Sequence, residues 1–164
     1  VKNDGVDTLS IRKLASEAEI ATGTVYNYFA NKDDILLSLT QRHWEGAILE
    51  MQSLATQDYF PDYLEFMYCF LDSSISNYAG QLMDGFQASE KGLKRMHGMF
   101  HELRQVIDVG LDRDKRIDLT IWDDRLSRND FCEIMIVNLL SALRMGIPKI
   151  ETIKEVAIKV LYTS

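Results

Sequence analysis

The spacing of apolar residues is the feature that most restricts how this chain can fold. Apolar side chains recur every three or four positions along most of the 164 residues, and no stretch keeps a strict alternation of apolar and polar residues. Only two prolines interrupt the pattern. The sequence therefore predicts an all-α fold, and beyond residue 56 the pattern predicts helices at 59–79, 81–89, 92–111, 128–146 and 150–163.

Composition favours a globular protein of the cytoplasm. The hydrophobic content of 46% is enough for a core. No stretch reaches the ~18 apolar residues of a membrane span, and the first residues lack the basic flank and apolar run of a signal peptide. Cys69 and Cys132 both lie in apolar stretches without metal ligands nearby. We expect them to be reduced core residues of a cytoplasmic protein.

Two short helical patterns lie close together near the start of the chain. Apolar residues within 11–18 share one stripe, and Ser10 can cap that helix. A break follows at 19–21, after which Val25 and Phe29 share one face of a second short run. Two short helices joined by a tight turn predict a helix-turn-helix.

The second of these helices carries side chains suited to the DNA major groove. Threonine can touch a thymine methyl and asparagine can bond an adenine edge, and Thr22, Thr24 and Asn27 supply these types. Gly23 lets the backbone approach a duplex closely, at a helix penalty of about 1 kcal/mol. The same residue types are also common on a solvated helix face, so residue types alone leave both interpretations open.

Charge gives weaker support to a DNA interface. The chain has a net charge of −7, and residues 8–32 have a net charge of only +1. Most of the acid lies in the C-terminal part, and exposed charges are screened beyond about 10 Å. Tyr26 and Tyr28 can donate hydroxyls to phosphates, and Lys32 adds a positive charge beside a helix N-terminus.

A family resemblance sharpens this interpretation. The run LSIRKLASEAEIATGTVYNYFANKDDIL resembles, without a gap, the DNA-binding signature of the TetR family. The resemblance implies a helix-turn-helix head on a helical-bundle body, and a ligand-responsive transcriptional regulator. Such a protein acts as a repressor that a small-molecule effector releases from a palindromic DNA operator. The resemblance places Thr22, Thr24 and Asn27 at or near base-reading positions. The implied phosphate-contacting positions are Gly23, Tyr26, Tyr28 and Lys32, with Ser10 and Arg12 at the start of the helix that crosses the DNA backbone.

Two departures from the family pattern stand out. Ala21 occupies the position where the family has a serine or threonine that caps the recognition helix, which costs about 1 kcal/mol. The family also has a helix before this motif, whereas only VKNDGVD precedes it here. We therefore expect residues to be missing before Val1.

We expect a DNA-binding domain at 1–45 and an effector-binding and dimerisation domain at 46–164. Asn31 is a good N-cap for the helix that joins them. An effector pocket should be lined by apolar and aromatic groups, although such residues are more often plain core. The candidates are Tyr63, Phe66, Met67, Phe70, Met83, Phe86, Met96, Phe100 and Trp122.

The penultimate helical pattern is apolar nearly all round, which predicts burial on two sides. A second copy of the chain would cover one side and form a homodimer with two-fold symmetry. The alternative is the central core helix of a monomer. The predicted interface residues are Phe131, Met135, Leu139, Ala142, Ile153, Val156, Ala157 and Val160.

Other functions receive less support from the sequence. His97 and His101 share a helical face, but no further ligand pattern accompanies them, so we expect no metal and no cofactor. No nucleophile motif, phosphate loop or carboxylate pair indicates an enzyme. Two alternatives remain: a protein-interaction module whose head has lost DNA binding, and a ligand carrier or enzyme on a helical bundle.

Overall fold

The computed structural model describes residues 10–76 and 90–162. Within these two ranges every regular element is helical, which confirms the predicted all-α fold. A short 3-10 turn at Leu119–Ile121 lies in the connection before the last two helices. The α-helices are α1 (Ile11–Glu17), α2 (Thr22–Tyr26), α3 (Lys32–Leu54), α4 (Phe60–Ser76), α5 (Glu90–Arg113), α6 (Arg128–Arg144) and α7 (Glu151–Leu161).

The predicted helices agree with the observed ones to within a few residues. The helix predicted at 92–111 is longer at both ends, because α5 spans Glu90–Arg113. The helix predicted at 128–146 ends at Arg144, where Gly146 adopts a left-handed φ of 63°. The helix predicted at 81–89 lies outside the described residues.

Helix α3 belongs to two separate hydrophobic cores. Near its start, Ile35 packs with Ala15 and Val25 in a small core formed with α1 and α2. From Trp44 onward, α3 contributes to a larger core that it shares with α4 to α7. We call the part of the chain around the small core the head and the part around the large core the body.

One detail of α3 departs from a simple apolar stripe. Leu39 lies four residues after the buried Ile35, at the spacing of the inward face, but it is 43% exposed. Leu37 and Thr40 are buried instead, and the Thr40 hydroxyl donates to the Leu36 carbonyl at 2.8 Å. The buried face of α3 therefore shifts around the helix axis between the head core and the body core. One continuous stripe of apolar residues would not predict this shift.

The centre of the body is the close packing of α4 against α5. A side chain added at Gly110 on α5 would come within 2.5 Å of the Tyr63 ring on α4. The Tyr63 hydroxyl donates to the Val106 carbonyl at 2.9 Å, so the ring is fixed at both ends. Helix α6 contacts α4, α5 and α7, which gives it neighbours from its own chain on several sides.

The two cysteines differ from each other in their surroundings. Cys132 is buried in the body core, where burial raises the pKa of its thiol to about 12. Cys69 is exposed, so the prediction that both cysteines are core residues is wrong for Cys69. Within the described ranges, no helix combines the length and apolar character that crossing a membrane requires.

A buried carboxylate ties three helix ends together. Asp114, only 3% exposed, follows α5 and accepts from the Phe60 backbone N–H at the start of α4 at 2.9 Å. The Arg116 guanidinium donates to both of its oxygens at 2.7 and 3.0 Å. The Tyr162 hydroxyl at the end of α7 donates to it at 2.5 Å. Burial alone would raise the pKa of Asp114, but these hydrogen bonds together lower it to about 2.

We expect Asp114→Asn to lower the free energy of unfolding at pH 7 by about 2–4 kcal/mol, because it removes the charge that three donors share. A carboxyl whose pKa is lower in the folded state stabilises the fold above its unfolded pKa of about 3.9. That contribution disappears as the pH falls toward 2. The difference between wild type and variant, measured by urea unfolding, should therefore shrink between pH 4 and pH 2.

The control for this experiment is Asp124→Asn, which changes an exposed carboxylate of the same connection. It should alter stability by no more than about 0.5 kcal/mol. An Asp114→Asn variant as stable as wild type at pH 7 would contradict the assigned role.

Candidate nucleic-acid interface

The head holds α1 and α2 together through a small set of apolar contacts. Ala15 on α1, Val25 on α2 and Ile35 on α3 are each at most 3% exposed. Ile11, Leu14 and Phe29 pack around these three residues. One face of each helix therefore packs into the small core, and the opposite face lies in solvent.

A tight turn fixes the angle between α1 and α2. Glu19 has a φ of 53°, the left-handed conformation that glycine adopts most easily. The Ile20 N–H donates to the Ala15 carbonyl at 3.0 Å and the Glu19 N–H donates to the Ser16 carbonyl at 3.2 Å. This is a Schellman motif, which closes the end of α1 and turns the chain sharply into α2.

The predicted base-reading residues lie on the side of α2 away from the core. Val25 is buried, whereas Thr24 and Asn27 are exposed and Thr22 is half-buried. Helical hydrogen bonding continues past the end of α2, because the Phe29 N–H donates to the Val25 carbonyl at 3.0 Å. Thr24 and Asn27 thus lie on one rigid helical surface that a duplex could approach.

The predicted phosphate-contacting residues surround this surface. Tyr26 is 55% exposed and Tyr28 is 79% exposed. Both aromatic side chains therefore lie largely in solvent, where they add little to the packing of the head. Gly23 is exposed, and a Cβ at its position would meet nothing within 4 Å. No contact inside the head therefore requires a glycine at this position. A binding partner that approaches the backbone closely would require one.

Side-chain caps fix the helices on both sides of α2. The Ser10 hydroxyl oxygen accepts from the Lys13 N–H at 3.1 Å at the start of α1, as predicted. The Asn31 side chain accepts from the Asp34 N–H at 2.9 Å at the start of α3, also as predicted. Asp34 in turn accepts from the Ala30 N–H at 3.1 Å, which fixes the turn that leads into α3.

All nine predicted DNA-contacting residues lie in the head, on α1, on α2, in the residues that flank these helices and at the start of α3. Arg12 is exposed on α1, and Lys32 is half-buried as the first residue of α3. Ala21 occupies the N-cap position of α2 and makes no side-chain cap, as its residue type predicts. The basic residues lie at the start of α1 and the exposed acids, Glu17 and Glu19, at its end.

Among the described residues, the predicted effector-binding residues are divided between the body core and a cleft. Tyr63 and Met67 are each 1% exposed and belong to the body core. Met96 and Phe100 line a cleft of about 490 Å³ between α5 and α6. The half-buried aromatic candidates Phe66, Phe70 and Trp122 pack against the body core. Met83 and Phe86 lie outside the described residues.

Most of the predicted dimer residues face the chain's own core, and the prediction is wrong for them. The reason is that α4, α5 and α7 of the same chain pack against α6 and bury these side chains. Ile153 and Val160 are half-buried, and Val156 is 46% exposed. Five of the predicted dimer residues are at most 4% exposed and present no surface to a second copy. They are Phe131, Met135, Leu139, Ala142 and Ala157.

One histidine of the pair, His101, is engaged by neighbouring side chains. Both ring nitrogens of His101 are within hydrogen-bond distance of other groups, Arg104 at 2.8 Å and Gln105 at 3.1 Å. No group of three metal-ligating side chains occurs in the part of the chain that the structure describes.

Sequence reasoning missed two residues with unusual surroundings, Trp44 and Arg95. Each has a buried nitrogen without a hydrogen-bond partner among the described residues, and both line a second cleft between α3 and α5. No sequence signal could have paired them, because 50 residues separate them and only the packing of two helices brings them together.

Comparison with known proteins identifies the head. The family model described as "Bacterial regulatory proteins, tetR family" matches residues 2–39. An uncharacterised HTH-type transcriptional regulator from Haemophilus influenzae is 40% identical over 62 residues, which cover 37% of this chain. The aligned part spans about a third of that relative's length, 33%.

Two solved structures share the fold of nearly the whole chain. The fatty acid degradation regulator FadR from Bacillus halodurans has a TM-score of 0.55 at 19% identity, over 98% of this chain and 87% of its own. A putative transcriptional regulator of the TetR family from Vibrio parahaemolyticus has a TM-score of 0.51 at 16% identity, over 99% of this chain and 92% of its own. At these identities the likeness concerns the fold.

The fold and the head thus define a helix-turn-helix protein with a larger helical body. Over residues 2–39 the head is similar to the tetR family of bacterial regulatory proteins.

We expect Glu19→Gly to stabilise the protein by about 0.5–1 kcal/mol, because glycine adopts the left-handed conformation without the cost of a Cβ. The measurement is urea unfolding followed by circular dichroism. The reciprocal control is Gly146→Glu, since Gly146 has a φ of 63° in an equivalent motif at the end of α6. This control should be less stable than wild type, and a lower stability of Glu19→Gly would contradict the explanation.

Proposed function

We propose that the protein is a DNA-binding transcriptional repressor of the cytoplasm, and that a homodimer binds a palindromic operator. The observation that carries the proposal is the surface of α2. Val25 fixes the helix to the head core while Thr24, Asn27 and Tyr28 are exposed. The match of residues 2–39 to a family model of bacterial regulatory proteins supports it independently.

In the proposed complex α2 lies in the major groove. Thr22, Thr24 and Asn27 would then meet base edges, where asparagine reads adenine and threonine contacts thymine methyl groups. Tyr26, Tyr28, Arg12 and Lys32 would contact the phosphates on either side, which fixes the register of the helix.

One head reads one half-site, so a palindrome requires two heads. We propose that the exposed apolar stripe of α6, together with Val156 on α7, pairs with the same surface of a second copy. Ile134 is 47% exposed, Val137 is 52% exposed and Met145 is 75% exposed. They lie at i, i+3 and i+11, on the side of α6 opposite its buried face. This stripe replaces the buried residues of the original prediction.

We further propose that a small molecule bound in the body releases the operator. Helix α3 begins beside α2 and ends in the body core, so a shift of α3 in the body changes the position of the head. Release requires the ligand to bind the non-DNA-binding arrangement more tightly, since equal binding to both arrangements would change nothing.

The test of DNA binding begins with selection of an operator from a random-sequence DNA pool, followed by fluorescence anisotropy over a salt series. We expect Asn27→Ala and Thr24→Ala to relax base preference at single positions, with about 1–3 kcal/mol lost on the selected site. Lys32→Ala should weaken binding to all sequences and reduce the magnitude of the salt slope by about one unit.

Lys149→Ala is the matched control, because Lys149 is an exposed lysine in the connection between α6 and α7. Its affinity and salt slope should equal those of wild type. Selection that recovers no preferred sequence would refute the regulator proposal.

We expect Val137→Glu to convert the dimer to a monomer, because it places a charge in the centre of the proposed apolar stripe. Sedimentation equilibrium measures the change, and affinity for the full palindrome should fall with it. The matched control is Val109→Glu on α5, where Val109 is 41% exposed outside the stripe. A wild-type protein that is monomeric at micromolar concentration would overturn this part of the proposal.

A further inference from the structure

The cleft between α3 and α5 joins the helix that leads to the head with the longest helix of the body. Its volume is about 260 Å³, close to the lower end of the range of about 300–1,000 Å³ for small-molecule pockets. Its lining residues are Gln41, Trp44, Glu45, Lys94, Arg95, Gly98, Met99 and Glu102.

Two hydrogen-bond donors of this cleft are buried without an acceptor. Trp44 is only 3% exposed, and its indole Nε1 has no partner among the described residues. The Nη1 atom of Arg95 is in the same situation. Both groups can only donate, and a buried donor left unsatisfied costs about 1–3 kcal/mol. A ligand that brings acceptor oxygens would remove this cost at both groups.

The charges in the cleft limit the kind of acceptor. Its lining holds Lys94 and Arg95 beside two carboxylates, Glu45 and Glu102. Lys94 pairs with Glu90 at 2.9 Å, and Gln41 donates to Glu45 at 2.7 Å. Arg95 is the cation whose guanidinium keeps an unsatisfied donor among the described residues, and the two carboxylates repel a ligand with one negative charge less than they repel a doubly charged phosphate monoester.

The rest of the cleft can receive a hydrocarbon group. Met99 and the Trp44 ring provide apolar surface, and methionine adapts to irregular ligand shapes. At Gly98 an added Cβ would meet nothing within 4 Å, so open space adjoins the helix there.

We propose that this cleft binds a small organic monocarboxylate. Its carboxylate accepts from Arg95 and the Trp44 indole, and its hydrocarbon part lies against Met99 beside Gly98. The inference rests on the proposed function, because it assigns the site and chemical class of the effector that releases the operator.

The cleft between α5 and α6 is a weaker effector site for two reasons. Three of its polar side chains already have partners, since Arg104 bonds to both His101 and Asn129, and Glu133 accepts from Asn129. Its lining includes Val137, which belongs to the proposed dimer surface.

The position of the carboxylate explains how binding would reach the head. Trp44 belongs to α3 and Arg95 to α5, so one carboxylate bonded to both fixes α3 against the body. Because α3 starts directly after the helix-turn-helix, the bond selects one position of the head relative to the body.

The binding experiment uses the Trp122→Phe variant, in which Trp44 is the remaining tryptophan. The probes are hexanoate and benzoate, with hexanol as the uncharged analogue and inorganic phosphate as the dianionic one. We expect a saturable change in Trp44 fluorescence with at least one carboxylate, and none with hexanol or phosphate. Calorimetry on the unaltered chain checks that Trp122→Phe has not created the site.

Variants then locate the site. Arg95→Gln should weaken carboxylate binding about tenfold or more, because it removes a charge-assisted hydrogen bond. Gly98→Leu should block binding by filling the open space, while it leaves the helix at least as stable. The matched control is Gly46→Leu, because Gly46 lies on α3 outside the cleft and also meets nothing within 4 Å. It should bind as wild type does.

The outcomes test the carboxylate site and its role in operator release separately. Absence of carboxylate binding, equal binding of hexanol, or binding unchanged by Arg95→Gln would each overturn the site, whatever the DNA result. Carboxylate binding that depends on Arg95 and lowers affinity for the selected operator supports both proposals. Such binding without an effect on operator affinity supports the site and refutes its role in release, since the coupling between two ligands is reciprocal.

Discussion

The structure depends on one helix being shared by two cores. Helix α3 has 23 residues and, at about 1.5 Å per residue, extends over about 35 Å. Ile35 at one end is fixed in the head, and Trp44, Ile48 and Met51 are fixed in the body. Because a continuous helix bends little over this length, the head takes its position from the contacts that α3 makes in the body. Within the described ranges, α3 runs from the head into the body without an intervening linker.

The body can hold α3 in this way because its own helix ends are tied together. Asp114 connects the end of α5 to the start of α4 and the end of α7, and Arg116 occupies both of its oxygens. The Arg113 side chain also donates to the Ala55 carbonyl at 2.5 Å, just after α3 ends. The charged connection after α5 is thus the place where four helices are joined, although its composition is that of a surface loop.

The sequence predicted local features of the head well because neighbouring residues determine them. The caps at Ser10 and Asn31 and the break at residues 19–21 depend on contacts within a few positions, and Val25 packs against Ala15 and Ile35, each only ten positions away. Nothing in the residue type of Glu19 indicates a left-handed conformation, since glycine is the usual residue there. The surrounding turn imposes that conformation.

Features that depend on distant contacts were harder to predict. An apolar residue such as Leu139 must be covered, but periodicity does not say whether its own chain or a second copy covers it. The buried Asp114 and the pairing of Trp44 with Arg95 arise from helices far apart in sequence. A charged loop residue and an isolated tryptophan carry no pattern that reveals either arrangement.

The unequal size of the two cores has a consequence for how the molecule opens. Among the described residues, the head core has three buried side chains, whereas the body core extends through α3 to α7. Local opening requires less free energy where fewer apolar contacts are lost. Backbone amides of α1 and α2 should therefore exchange with solvent deuterium through brief excursions of the head alone, and a bound duplex would slow that exchange far more in the head than in the body.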